Sequence, residues 1–360
     1  MASPAAPHEQ KQTLPNLRPG VTPSSTGAGG QDTVSPPSNF ATPLSNLPIP
    51  QSLQLDLEPD DFQKLNELDL GRDASISLVL HKPTNTIMAC KTIYDHETES
   101  VRKQALRELQ IMYKCNSPFI VPFFGAFVNE RKISICMEFM NCGSLGNICN
   151  KIGPVPEDVA GQIAHAVLSG LAYLHNEHQI IHNELKPSNI LLDSAGHIKL
   201  ADFQIPGQWF SRIALARNGT SLYISLSHAV ALYVRLPWCA VHPNRWKPER
   251  IQGSKCSAQS DVWSLGMIIM ELVLGRFPFP PDGRPLSVFE MLEYIVYEPV
   301  PTLPPGQFSE AFEDFIARFL IRDPTMRPTP SELLTDPFCV AIEAKDVDMA
   351  GFAKQLLKES

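Results

Sequence analysis

The hydrophobic pattern of this chain changes period once, near Gly143, and that change limits the folds open to it. Before it come short runs rich in β-branched and aromatic residues, at Ser75–Leu80, Ile87–Ile93, Phe119–Phe124 and Ile133–Met137, which read as strands. One helical stretch lies among them, about Glu99–Tyr113, with Val101, Ala105, Leu109 and Met112 on one face. After Gly143 and Ser144 the period is helical. Val159, Ile163, Val167, Leu171 and Leu174 form a stripe, and Val262–Leu274 is apolar on every side, as in a buried helix. The expectation is α+β: a sheet-rich lobe over 61–140, a helical lobe over 141–338 and a cleft between them, with 339–360 as a C-terminal tail.

Composition narrows the function classes. The 360 residues carry 30 Lys+Arg against 38 Asp+Glu, a net charge of −8. An acidic chain is a poor candidate for bulk nucleic-acid or anionic-membrane binding, since either asks for a basic surface. No apolar run reaches the roughly 18 residues that cross a bilayer, and no signal-peptide pattern opens the chain. The eight cysteines are scattered with no C-x-x-C pair, which reads as reduced thiols in the cytosol or nucleus. Residues 1–58 stand apart, with ten Pro, two basic residues (Lys11, Arg18) and Phe40 as the sole aromatic. So little apolar surface cannot offset the entropy of ordering, and a disordered tail is expected there.

The most specific segment is His182-Asn183-Glu184-Leu185-Lys186-Pro187-Ser188-Asn189-Ile190-Leu191-Leu192, followed by Asp202-Phe203. Upstream, Met88-Ala89-Cys90-Lys91 lies on an expected strand and Glu108 on the helix after it. Downstream come Pro248-Glu249-Arg250, Asp261-Val262-Trp263-Ser264-Leu265-Gly266 and Asp323-Pro324-Thr325-Met326-Arg327-Pro328. Six such segments in this order resemble the motifs of eukaryotic protein kinases. Arg107-Glu108-Leu109-Gln110-Ile111, Phe124-Gly125-Ala126-Phe127, Ile135-Cys136-Met137-Glu138-Phe139-Met140 and Val347-Asp348-Met349-Ala350-Gly351-Phe352 narrow the resemblance to the MAP kinase kinases, of fungal type.

That resemblance implies a bilobal kinase fold, ATP and Mg2+ as cofactors, a MAP kinase as substrate and a MAP kinase kinase kinase upstream. It implies that Lys91 holds the α- and β-phosphates, oriented by Glu108, while Asn189 and Asp202 bind magnesium. Lys186 would neutralise the γ-phosphate and Glu184 would stand at the base position. Met137 would guard the pocket, Glu138–Met140 would meet adenine, and Leu68, Ile76, Ala89 and Leu191 would enclose the base, below a loop containing Gly71.

Five departures from the family pattern point to impaired catalysis. Only Gly71 remains of the glycine-rich loop, with Asp69, Asp73 and Ala74 around it. A carboxylate facing phosphate at about 4 Å costs about 4 kcal/mol in an effective dielectric of about 20, and far less if it turns to water. The base is Glu184 rather than Asp, one methylene longer, and a misplacement of about 1 Å can cost about 10²-fold. Asn183 replaces an Arg that pairs with activation-segment phosphate, and Gln204-Ile205-Pro206 follows the magnesium motif where Gly is expected. The two phosphoacceptor positions fall at Arg212 and Ala216. In that same segment, 24 residues separate Tyr223 from Pro248 where the family has two. This insertion, about 224–246, has no acidic residue and no Gly, and its length suits an intron translated in frame. The sequence therefore leaves three readings: an impaired MAP kinase kinase, a pseudokinase that binds cascade partners, or the product of a decaying gene.

Overall fold

The computed structural model describes residues 57–358 except for 71–73, 95–108, 110–111, 130–131, 203–246, 281–283 and 285. The tail before residue 57 and the insertion therefore lie outside the described residues, as do Gly71, Asp73, Val101, Ala105, Glu108, Gln204, Arg212 and Ala216.

Five strands form an antiparallel sheet in the order β1-β2-β3-β5-β4. They are β1 (Phe62–Leu70), β2 (Ala74–His81), β3 (Thr86–Tyr94), β4 (Phe123–Asn129) and β5 (Lys132–Glu138). Period-2 alternation sorts the two faces. Ala89 and Ile93 of β3, with Ile133, Ile135 and Met137 of β5, line an inner cluster that also holds Leu109, Val121 and Ala201. Met88, Cys90 and Cys136 face the other way with Val79, beneath Leu57, Phe62, Phe124 and Phe127. Leu109 and Met112–Lys114 are helical, and Leu109 is buried in the inner cluster, in keeping with the helix expected there.

Two expectations need correction. The run Phe119–Phe124 is not one strand: β4 begins at Phe123, and Ile120 instead makes a parallel bridge to Leu200. Pro118 and Pro122 flank this stretch, and proline cannot donate to a ladder. The strand β1 went unread because its sequence, FQKLNELDL, has no apolar alternation, and nearly every residue of it is exposed at the sheet edge. Its pairing to β2 also shifts register twice, between Lys64 and Asn66 and between Glu67 and Asp69.

The second lobe is helical: α1 (Leu145–Ile152), α2 (Glu157–His178), α3 (Pro248–Ile251), α4 (Ala258–Leu274), α5 (Val288–Tyr297), α6 (Glu310–Phe319), α7 (Pro330–Leu334), α8 (Pro337–Glu343) and α9 (Met349–Lys358). All five stripe residues of α2 are buried, and α4 is buried along most of its length. Helix α4 stops at Gly275, whose φ of 65° is left-handed, a conformation glycine adopts without a Cβ clash. The boundary drawn at 338/339 falls inside α8, and Ala353 and Leu356 of α9 are buried in the same core as α4.

A small second sheet carries the chemistry-bearing loops: β6 (Gly143–Ser144), β7 (Ile190–Leu192) and β8 (Ile198–Leu200), in that order. Gly170 lets α2 approach it, because a Cβ there would lie 2.8 Å from Leu200 Cδ1. Leu200 N–H donates to Phe119 O and Leu200 O accepts from Val121 N–H, so β8 is tied to the first lobe as well.

The largest polar anchor of the helical lobe is Arg327, which is fully buried. It donates from Nη1 and Nη2 to Glu249 Oε1 and Oε2 at 3.1 and 3.2 Å, from Nε to the Ile321 carbonyl, and from Nη1 and Nη2 also to the carbonyls of Gln259 and Arg322. The guanidinium also lies 5.1 Å from the Trp263 ring centroid. Burial pushes the Glu249 carboxyl up, but its bonds from Arg327 and Ser260 outweigh that and hold it below the usual glutamate value of 4.5. Arg327→Ala strands the buried Glu249 charge, so a loss of about 3–5 kcal/mol in urea unfolding is expected. In the unmutated chain this contribution is present above pH 4.5 and is lost as the pH falls through the lower folded-state value, because protonation is easier in the unfolded chain. An Arg327→Ala variant as stable as the parent would contradict both statements.

Candidate active site

The loop between α2 and β7 enters the cleft in an unusual backbone conformation. Asn183 of this loop has φ 60°, and Asp202, which follows β8, has φ 55°, left-handed values that Asn and Asp tolerate better than other side chains with a Cβ. Three contacts hold the loop. His182 N–H and Asn183 N–H donate to Asp261 Oδ2 and Oδ1 at 2.7 and 3.0 Å. His182 Nε2 lies 3.2 Å from Ala201 O. Burial pushes the His182 imidazole below its usual 6.5.

The turn Pro187–Asn189 then sets the polar groups of the site. Asn189 is buried; its Nδ2 donates to Glu184 O at 2.9 Å, and its carbonyl accepts from Ala201 N–H. That backbone bond brings Asp202 beside Asn189. Asp202 in turn meets β3, where Lys91 Nζ lies 2.7 Å from Asp202 Oδ1. Burial raises the Asp202 carboxyl, but Lys91, and next Lys186 and His182, outweigh it and hold it below the ordinary carboxylate range. Glu184 and Lys186 are half-buried on the same loop.

The apolar side of the site assembles on the inner face of the first sheet. Ile76, Ala89, Met137, Met140 and Leu191 all belong to one cluster, and Ala89 and Met137 are directly opposite each other on β3 and β5. Leu68 is 43% exposed on β1 and does not join this cluster. Asp69 is exposed on the same strand, opposite Ile76, where water screens its charge. The Glu138 carboxylate is engaged by Lys199 of β8, while the Met140 carbonyl accepts from Gly143 N–H at 3.0 Å. Of the expected site residues, Gly71 and Glu108 lie outside the described residues.

Sequence reasoning missed Lys199 as the partner of Glu138, and it missed Lys247. The Lys247 ammonium is buried and lies 2.9 Å from Asp261 Oδ1. One signal was available: an aspartate near the start of an otherwise apolar helix needs partners once buried.

Residues 62–339 match the protein kinase domain family. The dual specificity protein kinase FUZ7 of Mycosarcoma maydis is 34% identical over 97% of this chain and 93% of its own length. The mitogen-activated protein kinase kinase MST7 of Pyricularia oryzae is 40% identical over 87% of this chain and 73% of its own length. This chain belongs to the MAP kinase kinases, a branch of the protein kinase family. For a MAP kinase kinase, the departures at Asn183 and Glu184 now have a setting. Asn183 suits the left-handed backbone but brings no charge, and its Oδ1 is buried without a partner among the described residues. No helix among the described residues is long and apolar enough to cross a membrane.

The geometry predicts how Asp202 titrates. In a Lys91→Met variant the burial that raises the Asp202 carboxyl remains while its nearest cation is gone. Its pKa should therefore rise, read from the side-chain carboxyl carbon by NMR, and an unmoved or lower value would show that the two groups are uncoupled.

Proposed function

We propose that this MAP kinase kinase is an attenuated dual-specificity enzyme, which binds ATP with Mg2+ in the cleft and passes phosphate slowly to Thr and Tyr hydroxyls of a MAP kinase. The observation that carries the reading is the 2.7 Å contact between Lys91 and Asp202, which joins a residue of the first sheet to the loop after β8. Phosphoryl transfer needs positioning and charge stabilisation more than covalent chemistry, and this contact supports that positioning.

The residues present fit such a ligand. Asn189 spends its NH2 on the Glu184 carbonyl, so Oδ1 is the atom it can offer a hard cation, and the Asp202 carboxyl is held in its ionised form. Bound ATP with Mg2+ would supply the transferable phosphoryl group and neutralise its charge. Lys91 would hold the α- and β-phosphates and Lys186 would offset charge at the γ-phosphate. Ile76, Ala89, Met137 and Leu191 would enclose the base, with Leu68 closing over it and Met140 meeting its edge. Glu184 would accept the hydroxyl proton. By resemblance Glu108 would orient Lys91, and an upstream MAP kinase kinase kinase would be the cascade partner, in the cytosol or nucleus.

Attenuation follows from the base and the glycine-poor loop, not from the metal ligands, since Asn189 and Asp202 match the family pattern. The competing pseudokinase reading draws on Asn183, whose neutral side chain cannot pair with an activating phosphate.

Thermal unfolding with and without MgATP separates these readings. A ligand at about 100 times its dissociation constant stabilises the native state by about 2.7 kcal/mol; the parent chain should shift and Asp202→Asn should not. No shift in the parent overturns the proposal. Phosphorylation of an inactive MAP kinase should then rise by about tenfold or more when Glu184→Asp is combined with Asp69→Gly and Asp73→Gly, because a positioned general base contributes about 10²–10⁴-fold. Arg212→Glu with Ala216→Glu should do much less. Strong phosphorylation from that acidic pair alone would mean a fully regulated enzyme.

A further inference from the structure

Lys247 is the residue before Pro248, at the C-terminal end of the activation segment, and its side chain is buried in the helical lobe. Its Nζ lies 2.9 Å from Asp261 Oδ1. The same carboxylate accepts His182 N–H and Asn183 N–H, one on each oxygen. One buried carboxylate thus joins the loop that carries Glu184 to the segment that ends at Pro248. Two residues further on, Glu249 pairs with Arg327. The segment end is therefore bound to the core at two separate buried ion pairs, one on each side of Pro248.

We propose that Lys247 is a positioning residue for the catalytic loop: its ammonium holds the Asp261 carboxylate, which sets the backbone of His182 and Asn183, and so couples the activation segment to that loop without phosphate. Calling the loop catalytic rests on the function proposed above. Two amide N–H bonds leave a full negative charge buried, and burying a charge is costly unless it is also paired with an opposite one. Lys247 supplies one from within the chain. The residues that would have used phosphate for the same purpose are changed together, with Asn183 neutral and Arg212 and Ala216 unable to accept phosphate. The coupling is permanent, since nothing has to be added to the protein to make it.

The test follows acylation of lysines and hydrogen exchange of the loop amides together, in the full chain without nucleotide, across a urea series. Lys247 should be acylated at least about a hundredfold more slowly than Lys64, whose side chain is 56% exposed. Its acylation should share the urea dependence of exchange at His182 and Asn183, because one opening event frees both. In a Lys247→Met variant those two amides should exchange about tenfold faster or more, while the buried middle of α2 stays within about twofold. Free acylation of Lys247 under conditions where the loop amides remain protected would overturn the proposal, as would unchanged loop exchange in Lys247→Met. If that variant does not fold, the paired measurements on the parent chain decide alone. None of these measurements needs phosphotransfer, so a chain that fails to bind MgATP refutes the proposed function and leaves this test intact.

Discussion

A carboxylate buried in an apolar helix survives only if its charge and both its oxygens are engaged, and Asp261 meets that condition with three partners. Oδ2 takes the His182 amide, and Oδ1 takes the Asn183 amide and the Lys247 ammonium. The partners belong to two different parts of the site's support. The amides begin the loop that holds Glu184, Lys186 and Asn189, and Lys247 begins the run Pro248-Glu249-Arg250. The desolvation cost of such a group means that losing one partner destabilises more than forming the contact gains. Helix α4, which bears Asp261, is itself fixed by packing against α2 and α6, so the loop inherits the rigidity of the core.

From that anchored loop the site reaches across to the sheet through a short series of polar contacts. Asn189 takes the Ala201 amide on its carbonyl, Asp202 follows, and Lys91 of β3 closes the connection. A second connection runs beside it, from Lys199 of β8 to Glu138 at the end of β5. Both cross between lobes through charged side chains and β8, beside the apolar cluster in which Leu191 and Ala201 pack with the first sheet.

The departures from the family pattern fall on this framework unevenly. Asn183 keeps the backbone geometry, since a left-handed φ is natural for it, and gives up only charge. Glu184 keeps its carboxylate and changes its reach. Arg327 and Glu249 keep a complete set of hydrogen bonds although the expected insertion, about 224–246, would stand just before Glu249 in the sequence. The contacts that hold the fold are intact, and the changes concentrate where phosphate, glycine and proton transfer would act.

The sequence by itself determined which residues are core and which motifs are present. The stripe on α2 and the all-round apolar α4 were legible because burial imposes a period, and Lys91, Asn189 and Asp202 because their spacing is specific. Glu249 and Arg327 were legible as motif residues for the same reason. What sequence left unread are β1 and the breaking of the run at Phe119–Phe124. An exposed edge strand carries no alternation, and prolines interrupt the run without showing where its residues pair. Lys199 and Lys247 were missed for a different cause: a lysine looks solvated in any sequence, and only tertiary packing decides that its amine ends against a buried carboxylate. Nearness across 14 residues, from Lys247 to Asp261, or 61, from Lys199 to Glu138, is a property of the folded chain, because electrostatic partners are chosen by distance in space and not by position along the backbone.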